Sequence, residues 1–173
     1  MSAADGRSVT AELLRRQFDA AFAAPARIAT DTTEGMLAVR IGADPFALRL
    51  GEIAGLHADL TIVPVPSSSA SLLGIVGIRG TLRPIYDLAA LLGYGGAGAP
   101  RWLIFPQAAP AIGLAFAALE AHVKVPKESV QDEQAQTAAA ARAFARGVAR
   151  VGSTLRPIIH LESVLKVIKD EVP

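Results

Sequence analysis

Residues 74–92 read GIVGIRGTLRPIYDLAALL, and residues 147–165 read GVARVGSTLRPIIHLESVL. The two stretches align without gaps at an offset of 73. Gly74, Thr81, Leu82, Arg83, Pro84, Ile85, Leu88 and Leu92 recur as Gly147, Thr154, Leu155, Arg156, Pro157, Ile158, Leu161 and Leu165, eight identities in 19 positions. Ile75/Val148, Ile78/Val151 and Leu91/Val164 are apolar in both copies. Self-similarity of this kind marks one supersecondary unit built twice. Each copy runs from an apolar stretch through a glycine-bearing turn into a second stretch that carries a proline. A short helical turn follows, at 87–92 and at 160–165. The expectation is strand, turn, strand, helical turn in both copies, with Leu82, Leu155, Leu88 and Leu161 buried. Pro84 and Pro157 donate nothing to a ladder, which assigns each to an edge strand or a bulge.

Working outward, the chain divides into two similar halves, about 36–94 and 101–168. Neither is large enough to bury much alone, so they should share a core, with strands exchanged between halves as one way of doing so. Leu37, Val39 and Ile41 alternate with Met36, Ala38 and Arg40. The turn Gly42-Ala43-Asp44-Pro45 follows, and then Phe46, Leu48 and Leu50 alternate with Ala47 and Arg49, which is a half-buried hairpin. Further short strands are expected at 74–79, 82–87, 102–105, 111–117, 121–125 and 148–160. Many short strands between Gly and Pro signals point to small barrels or a sandwich. Residues 93–100 read as a flexible connector, and the Ala-rich run at about 132–145 as a helix inserted in the second half. Ahead of the halves, 1–35 holds a helix at 8–24 and a polar linker. Leu14, Phe18 and Phe22 form an apolar stripe on that helix, which must dock on the body of the protein or on a partner.

Composition closes off several function classes. The 173 residues carry 17 Lys and Arg against 16 Asp and Glu, a formal charge of +1, and 51% are hydrophobic. That balance lacks the basic excess of a nucleic-acid binder and is too apolar for a disordered chain. With no Cys, thiolate metal sites, thiol nucleophiles and disulfides are excluded. The apolar windows at 70–78 and 104–119 are interrupted, and neither reaches the roughly 18–20 residues of a membrane span. No basic, then apolar leader stands at the N-terminus, so a cytoplasmic location without membrane insertion is expected. No phosphate loop, zinc helix or calcium loop motif occurs, and no cofactor is expected.

Three sets of residues merit weighing. Arg79 lies in Gly77-Ile78-Arg79-Gly80, where a tight turn would present its planar guanidinium to a carboxylate; a solvated loop arginine is the plainer alternative. Asp87 and His160 occupy the same repeat position. As a pair they have the residue types of a small hydrolase, yet no serine with a nucleophile-type flank accompanies them, and helix caps explain both. Arg142, Arg146 and Arg150 stand four apart, as a basic helix face would.

With the repeat and the Arg-Gly turn in place, the sequence resembles the CheW family of chemotaxis coupling proteins. The resemblance rests on Leu73-Gly74-Ile75-Val76-Gly77-Ile78-Arg79-Gly80, then Leu82-Arg83-Pro84-Ile85-Tyr86-Asp87-Leu88, ending Leu92-Gly93. Phe46-Ala47-Leu48-Arg49-Leu50-Gly51-Glu52-Ile53 is similar to the family's second strand, and Pro64 and Pro66 to its proline loop. The match spans about 36–168. Gly77 departs from the family's usual Asn, and the 8–24 and 127–146 segments lie outside its minimal pattern. The resemblance implies an all-β fold of two SH3-like five-stranded barrels around a shared core. It also implies a non-enzymatic adaptor joining the cytoplasmic tips of methyl-accepting chemoreceptors to the regulatory domain of a CheA-like histidine kinase. A variant of that role is a regulator competing for the kinase in a non-flagellar motility pathway. The expected partner surface is Arg79 with Ile78, Gly80, Asp87, Leu72 and Ile75, and Leu14, Phe18 and Phe22 form a further one. No catalytic, cofactor or metal residues are expected.

Overall fold

The computed structural model describes residues 32–95, 98–131, 141 and 143–171. The expected helix at 8–24, with Leu14, Phe18 and Phe22, lies outside the described residues, as does most of 132–145. Among the described residues the strands and α-helices are, in order, β1 (Thr33–Ile41), β2 (Asp44–Arg49), β3 (Ile53–Ala58), β4 (Leu72–Ile78), β5 (Thr81–Asp87), α1 (Leu88–Leu91), β6 (Trp102–Pro106), β7 (Gly113–Phe116), β8 (Ala118–Pro126), β9 (Val130–Gln131), β10 (Ala145–Val151), β11 (Thr154–Ile159) and α2 (Leu161–Glu171).

The repeat is structural. β4, β5 and α1 are matched by β10, β11 and α2, and 148–160 is a hairpin rather than one strand. Both copies place a register shift near the start of their first strand, at Leu72/Gly74 and Ala145/Val148. Gly74 has φ +147, and a Cβ there would lie 2.2 Å from the Val63 carbonyl oxygen, so only glycine fits the bulge. Helix α2 continues six residues past the expected turn, because Leu161, Val164, Leu165 and Ile168 form one buried stripe.

The strands form two sheets, ordered β8-β1-β2-β11-β10-β9 and β3-β6-β7-β5-β4, which curl into two SH3-like barrels, the first with a sixth, two-residue strand. Each barrel draws strands from both halves of the chain. The β1–β2 hairpin pairs with β8 and, in parallel, with β11 of the second repeat copy. In return β6 and β7 pair with β3 and, in parallel, with β5 of the first copy. Barrel interiors hold small clusters: Met36, Ala47, Val125, Ala149 and Ile158 in one, and Val76, Ile85, Leu103, Phe105 and Ala115 in the other. The largest cluster joins β1, β2, β6 and β7 to both helices and includes Phe46, Leu88, Ile104, Phe116 and Leu161. The main hydrophobic core is therefore the seam between barrels.

Several expectations are corrected. Leu88 and Leu161 are buried, but Leu82 is 70% and Leu155 54% exposed. Each lies near its hairpin tip, on the strand face opposite Arg83 and Ile85 or Arg156 and Ile158, beyond the reach of the shared core. Pro84 and Pro157 are on inner strands. Both are tolerated because the second neighbour begins only afterwards, at Ile85 for β7 and Ile158 for β2. Asp44 and Pro45 belong to β2, leaving Gly42-Ala43 as the turn. Strand β3 had no sequence signal: Ile53-Ala54-Gly55-Leu56-His57-Ala58 has little β-branching and a shift of register at Gly55. In the connector, the Tyr94 hydroxyl donates to Asp44 at 2.5 Å and its ring meets Phe46 edge-on, which pins this end of the linker. Burial and the Asp44 carboxylate push the Tyr94 hydroxyl well above its usual range.

Candidate functional site

The β4–β5 hairpin places its turn where a side chain must leave the sheet. Ile78 pairs with Thr81, and the two residues between them, Arg79 and Gly80, have φ +49 and +79. Positive φ at both central positions is the type I′ arrangement that matches strand twist. Glycine enters this region freely, whereas arginine carries a steric cost of roughly 1–2 kcal/mol. The repeat sharpens the contrast, since the equivalent residue in the β10–β11 turn is Gly152, at φ +61. Arg79 is exposed and makes no ion pair or hydrogen bond to another described residue. A strained, exposed arginine stands where the duplicate uses glycine.

Around the tip, Gly77 faces Leu82 across the pair, and Leu82 projects into solvent. On the other face, a groove of about 260 Å³ runs between Ile78 and Arg79 on one side and Gly55 and His57 of β3 on the other. Its floor is Phe105. The Arg83 guanidinium lies 5.0 Å from the Phe105 ring centroid and donates to the Pro110 carbonyl at 2.6 Å. The His57 ring meets the same phenyl edge-on.

The remaining sequence-predicted residues sit elsewhere on the hairpin. Ile75 is mid-strand, paired with Pro84 and bonded in both directions to Val63 at 2.9 Å. Leu72 pairs with Tyr86 at the far end and packs on the main core. Asp87 closes that end, its carboxylate accepting from the Ala89 amide at 2.8 Å as the cap of α1. Arg79, Ile78 and Gly80 thus form one tip, while Leu72 and Asp87 hold the opposite end.

His160 holds the matching position before α2, with its Nδ1 2.8 Å from the Ser163 hydroxyl. Asp87 and His160 open onto different cavities, the former beside Arg40 and Phe116, the latter beside Arg49, Glu52 and Arg146. No hydrogen bond or ion pair joins them. Arg146 and Arg150 lie on strand β10, not on a helix, and Arg142 is outside the described residues.

Sequence reasoning missed the two repeated arginines inside Thr-Leu-Arg-Pro-Ile, although their recurrence was a signal. Arg156 is buried, reaches the Val39 and Phe46 carbonyls at 3.3 and 3.5 Å, and binds Glu120 at 2.6 Å. Glu120 also binds Arg40, and the hydrogen bond from Arg156 is the main reason its carboxyl lies below the usual range. Among the described residues no group of His, Asp or Glu is arranged to hold a metal ion, and no helix is long and apolar enough to cross a membrane.

The family model of the CheW-like domain matches residues 35–169, which takes in both barrels and the β4–β5 tip. The chain belongs to the CheW-like family. Among curated relatives, the probable chemotaxis protein CheW of Rhizobium etli is 28% identical over 139 residues, covering 79% of this chain and 90% of its own. The chemotaxis protein CheW of Rhizobium meliloti is 26% identical over 132 residues, covering 75% and 85%. Among solved structures, the scaffolding protein TtCheW from Thermoanaerobacter tengcongensis has a TM-score of 0.63 at 20% identity, covering 73% of this chain and 88% of that one. At that identity the CheW likeness is one of fold, and it is a likeness of the two-barrel arrangement.

Proposed function

We propose that this CheW-like protein is a non-enzymatic cytoplasmic adaptor in a chemosensory array. In this reading it joins the cytoplasmic tips of chemoreceptors to the regulatory domain of a CheA-type histidine kinase. The observation that carries the reading is Arg79. A chain serving only as a packing unit has no use for an exposed arginine in a left-handed turn, without an ion pair among the described residues, where its own duplicate carries glycine. The names of the Rhizobium relatives and of the scaffolding protein supply the setting. Ile78, Arg79 and Gly80 are the contact residues, Ile75 continues their strand, and Leu72 and Asp87 fix the hairpin on the body. Asp87 serves as the cap of α1 and His160 is engaged by the Ser163 hydroxyl, and in this reading they do not act as a catalytic pair.

The test is capture from lysate of the native organism on the tagged full chain, with identification by mass spectrometry. Recovery of both a coiled-coil receptor and a histidine kinase is the expected result. Kinase without receptor would indicate a competitor for the kinase, and recovery of neither would contradict the adaptor reading.

A further inference from the structure

The second barrel is not closed along its whole length. Its sheet ends on β3 at one side and β4 at the other, and among the described residues β4 is bridged at Ile75 to Val63, in the segment after β3, rather than to β3 itself. Toward the hairpin tip lies the groove between Gly55 and His57 of β3 and Ile78 of β4 with Arg79 of the turn. The chemistry of this groove is one-sided. It holds two guanidiniums, Arg79 and Arg83, and the His57 imidazole, and no carboxylate of the described residues lines it. Arg83 is held by the Phe105 face and one carbonyl, and its Nε is buried with no acceptor. Arg79, on the rim, has no partner among the described residues. Elsewhere Arg101 is neutralised by Asp59, Arg40 and Arg156 by Glu120 and Arg49 by Glu34, while Arg146 and Arg150 on β10 share with Arg79 the lack of an ion pair among the described residues but do not line this groove.

We propose that this open seam is the seat for a single carboxylate side chain of the protein partner, gripped by Arg79 and set over the Arg83–Phe105–His57 floor. The proposal rests on the adaptor reading and specifies what its contact surface recognises. Charge complementarity fixes the choice of ligand: a planar fork suits a carboxylate, and an acid-free groove of about 260 Å³ admits one side chain rather than a helix. Ile78, Phe105 and Pro110 give the methylenes of a glutamate an apolar wall.

The test uses the ¹⁵N-labelled full chain titrated with the capped tripeptide acetyl-Leu-Glu-Leu-amide, with acetyl-Leu-Gln-Leu-amide as the uncharged control. The expected result is saturable movement of the Arg79 and Arg83 Nε–Hε signals by the glutamate peptide alone, with Kd in the millimolar range. Arg79→Gln should weaken it at least about tenfold, and Arg150→Gln, at the exposed edge of the other hairpin, should leave it unchanged. Equal movement by the glutamine peptide, or equal loss in Arg150→Gln, would overturn the proposal. Kinase-domain affinity is measured on the same variants to separate the two readings. Loss of kinase binding in Arg79→Gln without any peptide response would leave the adaptor reading standing and remove the carboxylate seat. A peptide response without loss of kinase or receptor binding would place the partner surface elsewhere and equally overturn the proposal.

Discussion

Arg79 combines three properties that packing alone does not produce: left-handed backbone, exposure and lack of an ion-pair partner among the described residues. Asparagine is the residue that type I′ turns favour in front of glycine. Arg79→Asn should therefore raise stability by several tenths to about 1 kcal/mol, read as a higher denaturation midpoint at unchanged slope. A lowered midpoint would mean that the side chain has a stabilising contact. Leucines in the repeat make the opposite point about reading single residues. Leu82 and Leu88 are both repeated, yet Leu82 is 70% exposed and Leu88 fully buried. Leu88→Ala should cost about 2–5 kcal/mol, and Leu82→Ala less than about 0.5 kcal/mol, both read by urea denaturation. Sequence recurrence showed that both positions matter without telling which side of the sheet each faces. That depends on where the second barrel's strands end, a tertiary fact with no local trace.

At the scale of elements, the copied strand–turn–strand–helix unit was legible because turn chemistry and apolar spacing agreed in both copies. The pairings that build the barrels were not. β5 with β7 and β11 with β2 are parallel contacts between distant segments, and their short registers leave no periodic mark. β3 escaped notice for want of β-branched residues, and the full length of α2 because only its first turn belongs to the repeat. An ionic cluster at Glu120, which binds both Arg156 and Arg40, ties exchanged elements together. Arg156 on β11 reaches the carbonyls of Val39 on β1 and Phe46 on β2, and binds Glu120 on β8. Because Arg156 depresses the Glu120 carboxyl below its ordinary 4.5, this clasp is present above that pH and is lost as pH falls through the lower folded value. Glu120→Gln should flatten that part of the pH dependence. The drop in melting temperature between pH 7 and pH 3 should be smaller in the variant than in the wild type. An equal drop in both would show that the clasp contributes nothing.

On the scale of the whole molecule, strand exchange makes the two barrels one folding unit, since each lacks strands that only the other half of the chain supplies. The segments 33–95 and 98–171, produced separately, should show no cooperative thermal transition, and mixing them should restore one. A cooperative transition in either segment alone would contradict the exchanged topology. That shared unit is what holds the β4–β5 tip rigid, with Asp87 and Leu72 fixed on the main core at one end and Arg79 presented at the other. Arginine is among the residues that dominate protein interfaces, where truncation costs about 2 kcal/mol or more, roughly a thirtyfold loss of affinity. The most direct measurement is isothermal titration of wild type and Arg79→Ala against the kinase regulatory domain, with thermal melts of the same two proteins. An adaptor that binds through this tip predicts about thirtyfold weaker binding with the melting temperature not lowered. Unchanged affinity, or a lowered melting temperature with normal affinity, would contradict it.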